Sequence, residues 1–339
     1  MPITLAEMKV GMTDKVAQQV VDTFIRKSEI LEMLPFDNCI SPSGGSTLIY
    51  GYIQKKLPST TAFRALNSEY SASQATVEKK TAELKIFGGA FEIDRVIKQA
   101  EGMYNNMAMQ LEEKIVSAIG TFHNAMINGD SAVTSNSFDG LDKFLVGQTT
   151  EYNAGAENAI DLSTIANLKS NADAFYEKLC YLINNTDADA ILCNSDMKTK
   201  IETVARILGY KTDSEEAFGR RVSSINGKRI IDLGNVVTVS DGTAVETPII
   251  GKKTRTYTTG ESDSAVTTSV TGLTDIYAVK FSVTDGFHGI TLSGNGGIST
   301  YLPDFDTPGA VKKGEVEMVA AVALKNTKHA GVLRNIKIA

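Results

Sequence analysis

The pattern of apolar and polar positions is most distinctive at residues 76–130, where an extended segment leads directly into a long helix. Residues 76–94 begin polar and end apolar, which predicts a strand that is exposed at its start and buried at its end. Apolar residues then recur every three or four positions over 103–128, which predicts an amphipathic helix of about 26 residues, roughly 40 Å long. The Asn128-Gly129 pair is typical of a helix end.

A polar segment at residues 55–75 separates this strand from an earlier predicted strand at 47–53. The segment contains too few large apolar residues to bury itself, so we predict a hairpin arm of about 12 residues a side. An isolated two-stranded hairpin is marginally stable in water. The arm is therefore either mobile or laid on another molecule, and the sequence leaves both alternatives open.

The N-terminal region carries a helical stripe of apolar residues over 16–34, with Thr13 and Asp14 in position to cap the helix. This pattern predicts an amphipathic N-terminal arm. Such an arm packs either on its own domain or on a neighbouring subunit, and both alternatives stay open.

The second half of the chain alternates between helical and strand patterns. We predict a helix capped by Ser163, a buried strand at 188–193 and a helix capped by Ser195, which together indicate a sheet covered on at least one side. A Ser- and Thr-rich segment at 252–274 predicts a solvated loop or a projecting ribbon. Two-residue turns predict three hairpins, at Asn226-Gly227, Asp241-Gly242 and Asp285-Gly286. Alternating residues predict two closing strands, at 316–324 and 331–338. The fold class expected is α+β.

Composition narrows the classes of function. The chain has 34 Lys and Arg against 40 Asp and Glu, a net charge of −6, which disfavours indiscriminate binding to nucleic acid. Three cysteines without paired spacing favour a reducing compartment and buried thiols over disulfides or zinc ligands. No apolar run approaches the length of a membrane span and no signal-peptide pattern is present, so we expect a soluble protein made in the cytoplasm.

Candidate chemistry is sparse. Ser195 and Lys198 match the Ser-x-x-Lys pattern of penicillin-recognising enzymes, but the partner Ser-Asp-Asn and Lys-Thr-Gly motifs are missing. The three histidines are scattered singly, and we expect His123 to be a partly exposed residue of the long helix. We therefore expect no enzyme, no cofactor and no metal site.

The order of the predicted elements resembles that of the major capsid proteins of tailed phages with the Hong-Kong-97-type fold. Both have a helical N-terminal arm, an extended hairpin, a strand that feeds a long spine helix, a mixed α/β region and two closing strands. Three stretches of sequence strengthen the resemblance: Phe87-Gly88-Gly89-Ala90-Phe91-Glu92-Ile93, Phe122-His123-Asn124-Ala125-Met126-Ile127-Asn128-Gly129-Asp130 and Phe138-Asp139-Gly140-Leu141.

The resemblance implies a shell subunit in four parts: an N-arm at 1–45, an E-loop at 46–80, a P-domain with the spine helix at 81–145 and 303–339, and an α/β A-domain at 146–302. In such shells the E-loop lies over the neighbouring subunit and the A-domain loops meet at the capsomer centre. The implied partners are further copies in hexamers and pentamers, a portal and decoration proteins. Many relatives begin with a scaffolding segment that a protease removes, whereas the amphipathic arm begins close to Met1 here, so we expect a separate scaffolding protein or none. The implied location is the virion, assembled in the host cytoplasm around double-stranded DNA that the shell contacts non-specifically.

The implied intersubunit residues are those of the E-loop: Lys55, Lys56, Arg64 and Glu69. Some relatives cross-link an E-loop lysine to a neighbour's asparagine beside a glutamate. Residues of the right type are Lys55 or Lys56, Asn326 or Asn335, and Glu317, but they do not align individually, so we assign no catalytic residue.

Two other functions remain open. An encapsulin shares the fold but encloses a cargo enzyme rather than a genome. A hydrolase or binding protein with a mobile hairpin belongs to a different class, and its relevant features would be Ser195, Lys198 and the Ser- and Thr-rich ribbon.

Overall fold

A computed structural model describes residues 28–39, 48–57, 59–99, 106–209, 213–217, 220–259, 266–292 and 298–339. Its helices are α1 (Glu29–Met33), α2 (Arg95–Gln99), α3 (Asn106–Asn128), α4 (Leu141–Leu145), α5 (Ile165–Thr186) and α6 (Ser195–Ile207). The mixed helix and strand content agrees with the predicted α+β class. Most of the predicted N-terminal helix, and the first residues predicted for the long helix, lie outside the described residues.

The strands before residue 200 are β1 (Phe36–Asn38), β2 (Ile49–Leu57), β3 (Thr76–Glu83), β4 (Lys85–Asp94), β5 (Glu151–Tyr152), β6 (Ile160–Asp161) and β7 (Ala190–Cys193). The strands after it are β8 (Asp213–Ala217), β9 (Arg220–Ile225), β10 (Lys228–Asp232), β11 (Asn235–Ser240), β12 (Thr243–Pro248), β13 (Lys253–Thr259), β14 (Val266–Val279), β15 (Phe287–Thr291), β16 (Ile298–Tyr301), β17 (Val311–Leu324) and β18 (Ala330–Lys337).

The long helix α3 packs on a five-stranded sheet of β1, β15, β17, β16 and β4. Strands β4 and β17 form an antiparallel ladder of ten residue pairs. Phe122 of α3 is fully buried, and its ring centroid lies 6.0–6.1 Å from those of Phe36, Phe87 and Phe138. The extended segment before the helix is two strands rather than the single strand predicted, because it divides at the buried Leu84 and pairs with different partners on each side.

A nine-stranded sheet carries helices α5 and α6. Strand β14 lies between β7 and β18, and the helices bury a second apolar cluster that includes Phe175 and Leu179. The predicted helix, strand and helix are present, but the capping residues are Thr164 and Asn194. The Ser163 hydroxyl donates instead to Asp161, 2.6 Å away, which leaves Thr164 to accept the Asn167 N–H.

Two of the three predicted hairpins are present. Strands β9 and β10 join at Asn226-Gly227, strands β11 and β12 join at Asp241-Gly242, and all four turn residues have the positive φ of a tight hairpin turn. The third prediction is wrong. Neither Asp285 nor Gly286 has a positive φ, and the strands on either side lie in different sheets, β14 against β7 and β18 and β15 against β1 and β17.

The division into four parts stays a prediction. The two sheets take strands from both sides of its boundaries. Strand β18 comes from the segment 303–339 and lies in the nine-stranded sheet, whereas β15 and β16 come from 146–302 and lie in the five-stranded sheet. Segments distant in the chain therefore share each sheet.

A close backbone approach makes Gly88 necessary to the β4–β17 ladder. A Cβ at Gly88 would lie 2.0 Å from the Val316 carbonyl oxygen and 2.9 Å from the Glu317 Cα, so one strand would have to shift. We expect Gly88→Ala to lower the free energy of unfolding by about 1–3 kcal/mol. Urea unfolding of the isolated subunit measures this. Gly51→Ala on β2 is the matched control, since its Cβ would meet only the flexible Lys79 side chain at 3.3 Å. Equal losses of stability in both variants would contradict the requirement for glycine at position 88.

Candidate assembly surfaces

The arm, defined here as residues 49–83, is a projecting hairpin. Its two limbs, β2 and β3, pair antiparallel with each other and with neither of the larger sheets. One face, with Tyr52, packs on the body of the subunit. The opposite face carries Ile53, Val77 and Lys79, and all three side chains are exposed. The predicted hairpin therefore exists, with an apolar outer face that the sequence analysis did not identify.

The tip of the arm, residues 59–75, continues beyond the ladder without regular strands. The limbs stay together through Thr60, whose backbone N–H donates to the Ser73 hydroxyl at 2.9 Å. The ladder is thus shorter than the predicted length of about 12 residues a side, because Thr60 bonds to the Ser73 hydroxyl rather than to a backbone group of the other limb.

The tip exposes three large apolar side chains. Phe63 is fully exposed, Leu66 is 89% exposed and Tyr70 is 67% exposed. Several exposed, large apolar side chains in one short segment are typical of a surface that binds another molecule. The sequence predicts a polar segment because Ser, Thr and Ala outnumber these residues; the missed signal was the presence of three large apolar residues within it.

The four predicted intersubunit residues have different environments. Arg64 organises the tip, because its Nη1 donates to the Ser68 carbonyl at 3.2 Å and its guanidinium lies 5.2 Å from the Tyr70 ring centroid. Glu69 is exposed. Lys55 and Lys56 lie in β2, and their side chains are outside the described part of the structure.

The root of the arm is tied to the body by polar contacts. The Tyr50 hydroxyl donates to Asp37 at 2.6 Å, and Gln54 donates to the Leu324 carbonyl at 3.2 Å. Burial acts to raise the pKa of Asp37, but the hydrogen bonds from Tyr50 and Asn38 and the nearby Lys325 hold that pKa below its usual value. The carboxylate is therefore a stable anchor at neutral pH, and the arm leaves the body in a defined direction.

A largely buried charge cluster connects the short helix α4, which follows the long helix, to the nine-stranded sheet. Arg334 of β18 bonds to Asp142 of α4 at 2.6 Å and to Glu151. Arg255 of β13 forms a two-point contact with the buried Asp275 of β14, at 2.6 and 2.7 Å. The cluster holds as many cations as carboxylates once Lys253, 3.5 Å from Asp142, is included, which is the condition for burying charge.

Asn335 completes this cluster, and both ends of its side-chain amide are hydrogen-bonded. Its side-chain oxygen accepts from Arg255 at 2.7 Å, and its amide donates to the carbonyls of Asn153 and Ala154 at 2.8 and 2.9 Å. The residue is fully buried. These contacts give Asn335 a structural role and disfavour it as a cross-linking partner. Asn326 caps the short helix Thr327–His329.

The expectation for His123 was wrong. It is buried, with Nε2 2.8 Å from the Ser28 hydroxyl and Nδ1 3.3 Å from the Leu233 carbonyl oxygen. Burial lowers its pKa to about 4, so the ring is neutral at pH 7. The ring therefore joins α1, the long helix and the segment that precedes β11. Ser195 and Lys198 lie in the first turn of α6.

Two negative findings concern the described residues alone. None of their helices is long and apolar enough to cross a membrane. No group of three or more His, Cys, Asp or Glu residues among them is arranged to hold a metal ion.

The buried cluster predicts a specific acid sensitivity. Burial acts to raise the pKa of Asp142, but Arg334 and Lys253 hold it below its usual value, so the ion pairs stabilise the fold above about pH 4 and weaken as the carboxylate protonates. We expect Asp142→Asn to lose about 3 kcal/mol at pH 7, the low end of the range for a broken buried pair, because the side chain keeps partial solvent access.

Urea unfolding at pH 7, 5, 4 and 3 tests this. The Asp142→Asn variant should depend less on pH below about 4 than the unaltered chain does. Asp196→Asn is the control, because Asp196 forms an exposed surface pair with Lys252 and should change stability by less than about 1 kcal/mol. Identical acid sensitivity with and without the Asp142 carboxylate would show that its ion pairs are not the source of the acid sensitivity.

Comparison with known proteins identifies the fold. No protein-family model matches the sequence, and no curated protein matches it. Among solved structures, the chain is similar to a chain of the holo-SrpI encapsulin complex from Synechococcus elongatus PCC 7942, at 12% identity over 91% of this chain and 87% of that one, with a TM-score of 0.52.

Two further structures agree with this likeness. A chain of the capsid of the native GTA particle matches at 10% identity over 94% of this chain and 90% of that one, with a TM-score of 0.54. A chain from Mycobacterium phage Bobi matches at 11% identity over 91% of this chain and 90% of that one, with a TM-score of 0.53. These likenesses extend over nearly the whole chain, and they show that the protein has the Hong-Kong-97-type fold found in phage capsid proteins and encapsulins.

Proposed function

We propose that this protein is the major capsid protein of a tailed phage, which self-assembles into hexamers and pentamers that close into an icosahedral head around double-stranded DNA. The observation that carries the proposal is the exposed apolar tip of the arm, on a fold similar to those of a capsid chain and an encapsulin chain. In this proposal the arm is the E-loop, α3 is the spine helix, and the arm lies on a neighbouring copy.

The energetics of the tip support association. Fully burying a side chain the size of Phe or Leu contributes about 1.5–3 kcal/mol. Phe63 and Leu66 are almost wholly exposed in the isolated subunit, so nearly all of that contribution is available on docking. Because the same contact recurs at every subunit of a shell, a modest free energy per contact suffices for a closed particle.

The charge of the chain suits a container for DNA. A net charge of −6 disfavours strong binding to phosphate, so contact with the packaged genome would be weak and independent of base sequence. A separate scaffolding protein, a portal and decoration proteins are the further partners that the proposal implies, with assembly in the host cytoplasm.

An encapsulin-type shell is the second candidate. The similarity to the SrpI encapsulin chain covers as much of this protein as the similarity to the phage chain and has nearly the same TM-score. The two candidates share the shell and differ in its contents. In an encapsulin the contents would be a cargo protein rather than a genome.

Removing the apolar tip tests the shell itself. We expect Phe63→Ser combined with Leu66→Ser to give a folded subunit that forms no closed particles, because the docking surface loses its apolar area. Deletion of residues 58–74 should have the same result. Sedimentation and electron microscopy measure particle formation. Ala62→Ser combined with Ala72→Ser is the matched control in the same exposed segment and should assemble normally. Normal particles from the Phe63 and Leu66 variant would refute the role of the tip.

The contents of purified particles distinguish the two shells. Particles produced in the native source should be treated with nuclease, purified and opened. The phage proposal expects nuclease-protected double-stranded DNA. A stoichiometric second protein without DNA would establish the encapsulin alternative instead. A stable monomer under all conditions would contradict both shells and favour the binding-protein or hydrolase class.

A further inference from the structure

A second projecting hairpin lies apart from both large sheets. Strands β11 and β12 pair with each other over six residue pairs, from Asn235 with Pro248 to Ser240 with Thr243, and with no other described strand. Every residue of β12 is exposed. An isolated two-stranded hairpin is marginal in water, so a regular one that no further described strand extends indicates a surface that another molecule covers.

The base of this hairpin is held firmly. The Ile249 N–H donates to the Gly234 carbonyl at 3.1 Å, Asn128 of the long helix donates to the Ile249 carbonyl at 2.7 Å, and Asn194 donates to the Ile250 carbonyl at 2.7 Å. These bonds attach the hairpin to the long helix and to the nine-stranded sheet. The hairpin is therefore presented in a fixed orientation.

One face of the hairpin is both apolar and acidic. Residues paired across an antiparallel ladder share a face, which places Val237, Val239, Ala244 and Glu246 together. Val239 is 74% exposed and Val237 is 50% exposed. Residues 235–248 contain Asp241 and Glu246 and no Lys, Arg or His, for a net charge of −2. Such a surface repels phosphate, so neither nucleic acid nor an anionic lipid suits it.

The outer face of the arm has the complementary composition. Ile53 and Lys79 are directly paired and Val77 is two residues away on the same strand, so the three side chains share a face. Ile53 is 68% exposed and Val77 is 65% exposed. Residues 49–83 contain five Lys and Arg against three Glu, for a net charge of +2. An apolar and basic face on one hairpin thus matches an apolar and acidic face on the other.

We propose that the β11–β12 hairpin of one copy is the receiving surface for the arm of the next copy, with Val237 and Val239 against Ile53 and Val77 and with Glu246 facing Lys79. The proposal rests on the proposed function, in which the arm docks on a neighbouring copy. It adds the identity of the receiving surface. It also gives the β11–β12 hairpin a role, since Val237 and Val239 stay half or more exposed in the subunit and Glu246 bonds only within the hairpin among the described contacts, to Asn235 at 3.2 Å.

A charge exchange tests the pairing. Glu246→Lys alone and Lys79→Glu alone should each reduce the yield of closed particles about tenfold, since each places like charges opposite one another. The double variant, which restores opposite charges in the reverse order, should recover particles to within about twofold of the unaltered chain. Particle yield is measured by sedimentation, and the unfolding of each subunit by urea.

Glu177→Lys and Lys169→Glu are the controls, because both residues are exposed on α5, away from either hairpin, and make the same changes in net charge. Failure of the double variant to recover, with normally folded subunits, would overturn the pairing.

The tip variant and the charge variants together distinguish a failure of the receiving surface from a failure of the shell proposal. Assembly that is abolished by the Phe63 and Leu66 variant but unaffected by Glu246→Lys would refute the receiving surface and leave the shell intact. A chain that never assembles would overturn both proposals. Assembly that is lost in both single variants and recovered in the double variant would establish the contact.

Discussion

The rest of the structure depends on the packing of the long helix α3 against the β4–β17 ladder. Phe122 sits at the centre of this contact, with the rings of Phe36, Phe87 and Phe138 around it, and it is fully buried. Deeply packed aromatic groups tolerate little displacement, since a void or an overlap costs free energy immediately. The close approach at Gly88 brings the two strands together under the helix. The resulting body is stiff enough to hold extended hairpins at fixed positions.

The two hairpins expose apolar side chains, and a stiff body holds these side chains where another copy can cover them. Each hairpin exposes β-branched or aromatic side chains, which are unfavourable in water and favourable once covered. In a single subunit this is a liability for aggregation. In a repeating assembly the same side chains become the contacts, provided that their directions are set. The Tyr50 and Asp37 anchor sets the direction of the arm, and the Asn128 and Asn194 hydrogen bonds set that of the β11–β12 hairpin.

The charge cluster around Arg334 and Asp275 stiffens the body where the short helix α4, which follows the long helix, meets the nine-stranded sheet. Removing charge from water costs free energy unless opposite charges and hydrogen bonds replace the solvent. Here the two arginines and Lys253 meet three carboxylates, and Asn335 supplies further bonds. The cluster draws residues from α4, β5, β13, β14 and β18, so it joins segments that are distant in the chain. Such a cluster fixes which segments pack together more than it raises the free energy of unfolding, because each charge is satisfied only by particular partners.

The sequence by itself determined the elements whose cause is local. The apolar stripe and the end of the long helix, the turns at Asn226-Gly227 and Asp241-Gly242 and the projecting arm follow from periodicity and turn chemistry. The order of the elements was enough to suggest the fold. Tertiary structure alone decided the rest. Asp285-Gly286 has the residues of a hairpin turn, yet its flanking strands find better partners in separate sheets. His123 is buried because Ser28 and Leu233, about a hundred residues away on either side, close over it. The Arg334 cluster likewise depends on contacts between distant segments, which no local pattern encodes.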